Sequence, residues 1–227
     1  MSKEQSLCVL CIGNSLTYYN GGLDTYLCSL GFAARRYARP GASLSELWRD
    51  RGAAKAIDEG YTREKGWDFV VLQEDLPETT VDAFTKSSSQ FIERVRAKGA
   101  QPVMLLAWPY ERLGECKMDD ILTAHRNVAN RHAVRVAPVG LAFSAAARRA
   151  RELGDVGTLD LLCPDDEHPS VQGSYLQAIV VAAVLSGLKA TEGTMARWKP
   201  SNLEEGLDDF FRDVADEAIS QWYGCAP

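Results

Sequence analysis

The sequence predicts an α/β fold, a three-layer α/β/α sandwich with a parallel sheet of about five strands and helices on both faces. Apolar segments of strand length alternate with amphipathic segments along the chain, and the strand-like segments are apolar on both faces, as in a covered parallel sheet. The 227 residues, 46% of them hydrophobic and 25% charged, can form one large core. No composition break or repeat divides the chain, so we expect a single domain over residues 1–227.

Short runs rich in Val, Leu and Ile predict the strands. The clearest are "SLCVLCIG", "WDFVVLQE", "QPVMLLAWP" and "VRVAPVG", and a shorter strand is expected in "FAARRYARPG". Cys8 and Cys11 lie three positions apart in the first run, so their side chains point to opposite faces of the sheet. This spacing favours two buried free thiols over a metal or redox pair.

Amphipathic segments between these runs predict the helices. Gly99, Gly154 and Gly187 follow three of them, as expected at helix ends, and the predicted ranges are 80–98, 118–132, 141–153 and 170–186. Another helix is expected to begin near Ser43, which can cap it. An apolar stripe over about 203–223 predicts a C-terminal helix that packs on the domain.

Charge and hydropathy argue against several classes of partner. The net charge of -6 and the scattered arginines give no basic stripe for nucleic acid. No apolar run is long enough to span a membrane, and no signal-peptide pattern opens the chain, so we expect a cytoplasmic protein with no membrane partner. Neither common glycine-rich phosphate loop is present, so a nucleotide cradle of those types is not predicted.

Ser15 follows the first strand directly, in "CVLCIGNSLT", and opens a predicted helix. One interpretation is that Ser15 or Asn14 simply caps this helix. The other is that Ser15 is a nucleophile, because free backbone N–H groups and the positive end of the helix dipole would face an oxyanion at this position. Position alone leaves both interpretations open.

A serine nucleophile needs a base, and the chain has three histidines. His125 and His132 lie two helical turns apart, about 10 Å, which is too far to share a metal; a solvated helix face is the simpler expectation for both. His168, in "DDEHPS", lies between a loop and a helix, three residues after Asp165. That carboxylate can hold the imidazole Nδ1–H while Nε2 faces the serine, although a solvated acidic loop is the alternative.

These two segments resemble motifs of a known family. "IGNSLT" resembles the first block of the GDSL or SGNH hydrolases, and "DDEHPSVQGSYLQA" resembles their last block, in which Asp-x-x-His precedes an apolar helix. The order, with Ser early and Asp-x-x-His late, is also that of the family, and no G-x-S-x-G elbow of the other large hydrolase class is present. The resemblance implies a flavodoxin-like sheet order and a serine esterase that hydrolyses carboxylic esters.

The resemblance also implies roles for individual residues. Ser15 would be the nucleophile and would donate its backbone N–H to the oxyanion hole, where Gly41, in "RPGASL", would supply a second N–H. His168 would be the general base and Asp165 its orienting partner, with Asp166 as the substitute if the loop is shifted by one residue. No metal and no organic cofactor is required for this chemistry.

Two positions depart from the family pattern. Asn14 stands where the family has Asp, a residue that supports the turn and takes no part in bond making. After the third strand the family has Gly-x-Asn-Asp, whereas this chain has "VVLQED". The amide of Gln73 can donate a hydrogen bond as the usual Asn does, so we assign Gln73 the third oxyanion donor.

The substrate is expected to be a small-molecule ester with a small acyl group, such as acetyl, on a polar alcohol. Trp108 and Trp48 follow strand ends near the predicted site, where each ring could stack on a sugar or could simply pack. An acetylated carbohydrate is therefore a candidate. A catalytically inactive SGNH-like protein that binds an acylated or glycosylated ligand, and an unrelated flavodoxin-like binding domain, are the alternatives. The sequence leaves the oligomeric state open.

Overall fold

The computed structural model describes residues 6–74, 76, 78–110, 117–154, 159–192 and 195–224. Its strands form one parallel sheet of five in the order β2-β1-β3-β4-β5, as predicted. The strands are β1 (Cys8–Gly13), β2 (Ala33–Ala38), β3 (Phe69–Gln73), β4 (Gln101–Leu105) and β5 (Arg135–Ala137). In this order the direction of chain winding reverses between β1 and β3, where ligands bind in open α/β sheets.

Burial explains why these segments are strands. All residues of β1 and β3 are buried, which matches their apolar sequence on both faces. Cys8 and Cys11 are buried free thiols, as predicted. The edge strand β2 instead exposes Arg35 and Arg36, and charged side chains on an edge oppose pairing with another chain.

The helices pack in two groups that cover the two faces of the sheet. One group contains α2 (Leu23–Ser29), α7 (Val139–Leu153), α8 (Val171–Ser186) and α9 (Leu207–Gly224). The other contains α3 (Leu44–Arg49), α4 (Gly52–Glu59), α5 (Val81–Ala97) and α6 (Met118–His132). Within the described ranges, no helix is both long and apolar enough to cross a membrane.

The chain after β1 differs from the single helix suggested by its sequence. A short helix, α1 (Ser15–Tyr18), is followed by a 3-10 turn and only then by α2. Asn20 has a φ of 47°, and the next two residues, Gly21 and Gly22, also have positive φ values. Three successive left-handed residues cannot continue a right-handed helix, so the chain changes direction here.

The C-terminal helix α9 begins at Leu207, and the preceding Leu203 is buried in a loop. Arg212 holds α9 in place. Its side chain is buried, pairs with Asp208 and donates to the carbonyl oxygens of Ala190 and Ala196. A buried guanidinium needs this many acceptors to offset the water it has lost.

The expectation of a solvated helix face for His125 was wrong. The side chain is buried, its Nδ1 donates to the carbonyl of Ile121 at 2.9 Å, and its ring packs against Phe84. Burial lowers the pKa of His125 to about 4, so the imidazole is neutral at physiological pH. His132 is partly exposed, and its Nε2 lies 2.8 Å from the Ser89 hydroxyl.

Candidate active site

Ser15 and Gln73 lie at the carboxyl ends of β1 and β3, the two strands that flank the reversal of chain direction. Ser15 is the first residue of α1, so its backbone N–H has no partner inside the helix. The residue is buried to 9% exposure. The structure therefore places a serine at a helix N-terminus where this class of sheet binds ligands.

The turn that carries Ser15 is fixed by its neighbours. Asn14 caps α1, because its Oδ1 accepts from the Leu16 N–H at 3.0 Å. Gly13 is required by close packing: a Cβ at this position would overlap the Thr17 hydroxyl and the Gln73 side chain. The turn is thus determined by a cap on one side and by core packing on the other.

Gln73 is almost completely buried, and both ends of its amide are engaged. Its Oε1 accepts from the Asn14 N–H and from the Thr17 hydroxyl, both at 2.9 Å. Its Nε2 donates to the carbonyl of Glu74 at 2.8 Å, which uses one of the two amide hydrogens. The side chain joins the end of β3 to the turn that carries Ser15.

His168 and Asp165 form the second half of the site. The His168 Nδ1 donates to Asp165 Oδ2 at 2.8 Å, and the N–H groups of His168 and Glu167 donate to Asp165 Oδ1 at 2.9 and 3.1 Å. The backbone N–H of His168 is the main cause that lowers the pKa of Asp165 to about 2, and its ring adds to the effect. Asp166, the substitute named above, has a φ of 54° and makes no hydrogen bond to His168 among the described residues.

The His168 loop contacts the chain that follows Ser15. The Tyr19 ring, one helical turn beyond Ser15, stacks on the His168 ring with 4.2 Å between centroids. Next to it, the Asn20 Nδ2 donates to the carbonyl of Pro169 at 2.6 Å. The side chains of Tyr19 and Asn20 therefore hold the segment after Ser15 against the loop that carries His168.

The helix α8 follows this loop and approaches it closely. A Cβ on Gly173 would overlap the carbonyl of Leu161, at the start of the loop, so a glycine is needed for the approach. From the same helix, the buried Gln177 donates to the carbonyl of Leu16 in α1 at 3.2 Å. The helix thus contacts both halves of the candidate site.

Trp108 contacts the His168 loop from beneath. The indole N–H donates to the carbonyl of Glu167 at 3.0 Å, and the ring stacks on Phe143 with 4.3 Å between centroids. The side chain is 2% exposed. Its expected role in stacking on a sugar does not fit this burial; its contacts are those of a residue that supports the loop.

The other two predicted residues lie on the β2 side. Gly41 is exposed with a φ of 58°, in the loop after β2. In the same loop, the backbone N–H of Arg39 donates to the carbonyl of Gly13 at 3.2 Å. Trp48 lies one turn into α3, where its ring packs edge-on with Phe91. Trp48 borders a groove along α5, and Ser15 does not line that groove.

No hydrogen bond joins the Ser15 hydroxyl to the His168 ring among the described residues. Such bonds are often long in ligand-free enzymes and tighten on substrate binding. Sequence reasoning did not identify Tyr19 or Asn20, whose contacts with the His168 loop depend on the left-handed turn after α1. The segment "TYYNGG" held the only signal, an Asn-Gly-Gly turn directly after two aromatic residues.

Comparison with known proteins supports the same family. A protein from Slackia heliotrinireducens assigned to the SGNH hydrolases is 32% identical, with a TM-score of 0.63 over 80% of this chain and all of that one. A DUF4886 family protein from Bacteroides uniformis is 18% identical, with a TM-score of 0.68 over 95% of each chain. A mutant of an acetyl-xylooligosaccharide esterase from Geobacillus is 16% identical, with a TM-score of 0.61 over 85% of this chain and 99% of that one.

No family model matches the sequence, and no curated protein matches it. The two structures below 20% identity share the fold. The 32% identity with the Slackia heliotrinireducens protein, over the whole of that chain, also shows the family. The Ser15 turn and the Asp165–His168 pair are the two segments that carry the family's motifs in this chain. The chain belongs to the SGNH hydrolases, a family of enzymes that hydrolyse ester bonds.

Proposed function

We propose that the protein is a serine esterase that removes small acyl groups, acetyl in particular, from a polar alcohol such as a carbohydrate. The observation that carries this proposal is the Asp165–His168 pair, in which the His168 ring stacks on Tyr19, the residue directly after the helix that begins at Ser15. The name of the acetyl-xylooligosaccharide esterase supports the acyl group and the class of alcohol.

In the proposed reaction, the Ser15 Oγ attacks the ester carbonyl carbon while its proton passes to the His168 Nε2. The Asp165 carboxylate holds the opposite ring nitrogen, which fixes the tautomer and stabilises the imidazolium. The imidazolium then protonates the leaving alcohol as the acyl-enzyme forms. Water attacks this acyl-enzyme by the same proton transfers and releases the acid.

The oxyanion is proposed to rest on the backbone N–H groups of Ser15 and Gly41. Gln73 is proposed as the third donor. One hydrogen of its Nε2 bonds to the carbonyl of Glu74, so the second hydrogen would donate to the oxyanion. Its Oε1 contacts with the Ser15 turn give it a positioning function as well. Loss of one such donor typically costs about 100-fold to 1000-fold in rate.

A cytoplasmic location remains a prediction.

The test is hydrolysis of p-nitrophenyl acetate and butyrate by the parent protein and by Ser15→Ala and His168→Ala. We expect kcat/KM for the acetate to fall at least about 1000-fold in both variants, because nucleophile and base act as one unit. His132→Ala is the matched control, since His132 ends α6 just before β5 begins, at the edge of the sheet opposite the site, and it should retain the parental rate.

An inactive parent, or equal rates in all variants, would favour a binding protein over an esterase. Among the described residues, no hydrogen bond joins Ser15 to His168, and this observation is the one that favours a binding protein as the second candidate function. A higher rate on butyrate than on acetate would contradict the preference for a small acyl group.

A further inference from the structure

A groove runs along α5, on the face of the molecule that α5 shares with α3 and α4. It consists of three adjoining cavities of about 430, 410 and 570 Å³, and each of them borders Trp48. Ser45 and Ala83 line one end, and Ala97 and Lys98 line the other. At 1.5 Å per helical residue, the part of α5 along the groove is about 22 Å long.

The lining of this groove is basic, although the chain as a whole carries a net charge of -6. The cations are Arg49, Arg51, Lys55, Lys86, Arg94 and Lys98, and the carboxylates are Asp58 and Glu93. Asp58 already pairs with Arg94 and Lys98. Arg51 and Lys86 are exposed and make no ion pair in the part of the chain that the structure describes.

One end of the groove is connected to the candidate active site through Glu74. This buried carboxylate accepts from the N–H of Leu44, at the start of α3, at 3.0 Å, and its other oxygen lies 3.4 Å from the Ser87 hydroxyl of α5. Glu74 directly follows Gln73, which bonds to Asn14, the neighbour of Ser15. Because α5 begins after the carboxyl end of β3, the Ala83 end of the groove lies towards the edge of the sheet that carries the site, and the Ala97 end lies towards the opposite edge.

We propose that this groove binds an anionic oligosaccharide, so that the substrate is an acylated acidic carbohydrate whose chain extends from Ser15 along α5. This inference rests on the esterase function proposed above. A concave groove with cations along its length fits a linear chain and does not fit a flat bilayer. Trp48 is half-buried within the groove, where its ring can pack against a sugar but does not protrude to enter a membrane.

Binding can be measured without catalysis by using Ser15→Ala and an unacylated oligogalacturonate in calorimetry. We expect oligogalacturonate to bind, a neutral xylo-oligosaccharide to bind much more weakly, and the difference to shrink at high salt. Adding Arg51→Glu and Lys86→Glu should raise the Kd for oligogalacturonate about tenfold or more, because two cations along the chain become repulsive. Thermal melting verifies that the variants are folded.

Lys199→Glu in the same background is the matched control. It reverses one positive charge, as Arg51→Glu and Lys86→Glu each do, so each groove substitution is also measured singly against it. Lys199 is exposed and lies next to Trp198, which packs with Tyr26 of α2 and Tyr175 of α8 on the opposite face of the sheet. Its Kd for oligogalacturonate should equal that of Ser15→Ala.

The proposal is overturned if oligogalacturonate does not bind, or if the groove variant and the control bind it equally. It is also overturned if single-stranded nucleic acid or anionic phospholipid vesicles bind in its place with the same dependence on Arg51 and Lys86. Failure of the esterase function is a separate result, since it appears as absent hydrolysis of p-nitrophenyl acetate by the parent while binding by Ser15→Ala is measured independently.

Discussion

The two halves of the candidate site are held by different means. The turn that carries Ser15 lies in the core: Gly13, Thr17 and Gln73 are buried, and each contacts the others directly. The loop that carries His168 lies at the surface, where the Asp165 side chain is 44% exposed and the His168 side chain 19%. Packing therefore positions the proposed nucleophile, whereas hydrogen bonds and one ring stack position the proposed base.

This difference predicts how each half responds to substitution. A change in the Ser15 turn disturbs the core, so stability and activity should fall together. Loss of a single hydrogen bond to the His168 loop removes little core packing, so activity should fall by more than stability does.

Gly13→Ala is expected to have the largest effect. The added methyl overlaps the Thr17 hydroxyl and the Gln73 side chain, and overpacking of this kind costs about 1–3 kcal/mol of unfolding free energy. A displaced nucleophile should also reduce kcat about 100-fold. Denaturant unfolding and the p-nitrophenyl acetate assay measure the two effects.

Gly66→Ala is the control for this substitution. Gly66 is exposed, lacks a positive φ, and has open space where the methyl would lie, so a change within about 0.5 kcal/mol is expected. If Gly13→Ala lowers activity without changing stability, the two halves of the site do not differ in the way described.

Trp108→Phe should separate activity from stability. The variant loses the hydrogen bond to the carbonyl of Glu167, and a single such bond contributes about 1 kcal/mol net. A less restrained His168 should lower kcat about tenfold, with a smaller change in KM. Trp67→Phe is the matched control, because Trp67 is also buried and donates to a backbone carbonyl, that of Ala56, at 2.9 Å before β3 begins. Equal losses of kcat in both variants would contradict a specific role for Trp108.

The smallest expected effect is a loss of stability at acid pH as Asp165 becomes protonated. The pKa of Asp165 is lowered to about 2, chiefly by the backbone N–H of His168, so its ionised form is favoured by the fold. The contribution to stability is therefore complete above about pH 4 and is lost as the pH falls towards 2. Carboxyl chemical shifts in a pH titration should give a midpoint near 2 for Asp165.

His168→Ala tests the cause of this shift. The backbone N–H groups remain in that variant, so the midpoint should rise only in part and stay below the ordinary value of 3.8. A midpoint near 4 in the parent protein would mean that the loop is not held by Asp165 in solution.

Much of the fold was predictable because hydrophobic pattern and caps are local signals. Ser43 forms the expected cap of α3, with Glu46 completing a capping box, and the bounds of α6 agree with those predicted. The helix α4 was missed although it is amphipathic, because it is only eight residues long and begins directly after α3, at a left-handed Arg51 that the sequence does not reveal. The turn after Ser15 was read as one helix, because nothing in the sequence alone requires Asn20 to be left-handed.

The site was less predictable, because its supports depend on which atoms meet across the fold. The roles proposed for Ser15, Asp165 and His168 came from the family resemblance, since position and spacing alone left the alternatives open. The burial of His125 and of Trp108 could not be derived, since an amphipathic pattern does not specify how deeply one position on a helix or strand end is covered. The engagement of both ends of the Gln73 amide likewise depends on its approach to Asn14.

The buried contacts of Arg212 have a consequence for synthesis of the chain. The helix α9 is translated after α7 and α8, which it covers, so the apolar surfaces of those helices stay in water until Arg212 reaches its acceptors. A chain that stops before α9 should therefore expose the apolar faces of α7 and α8 and aggregate, even though it contains both Ser15 and His168.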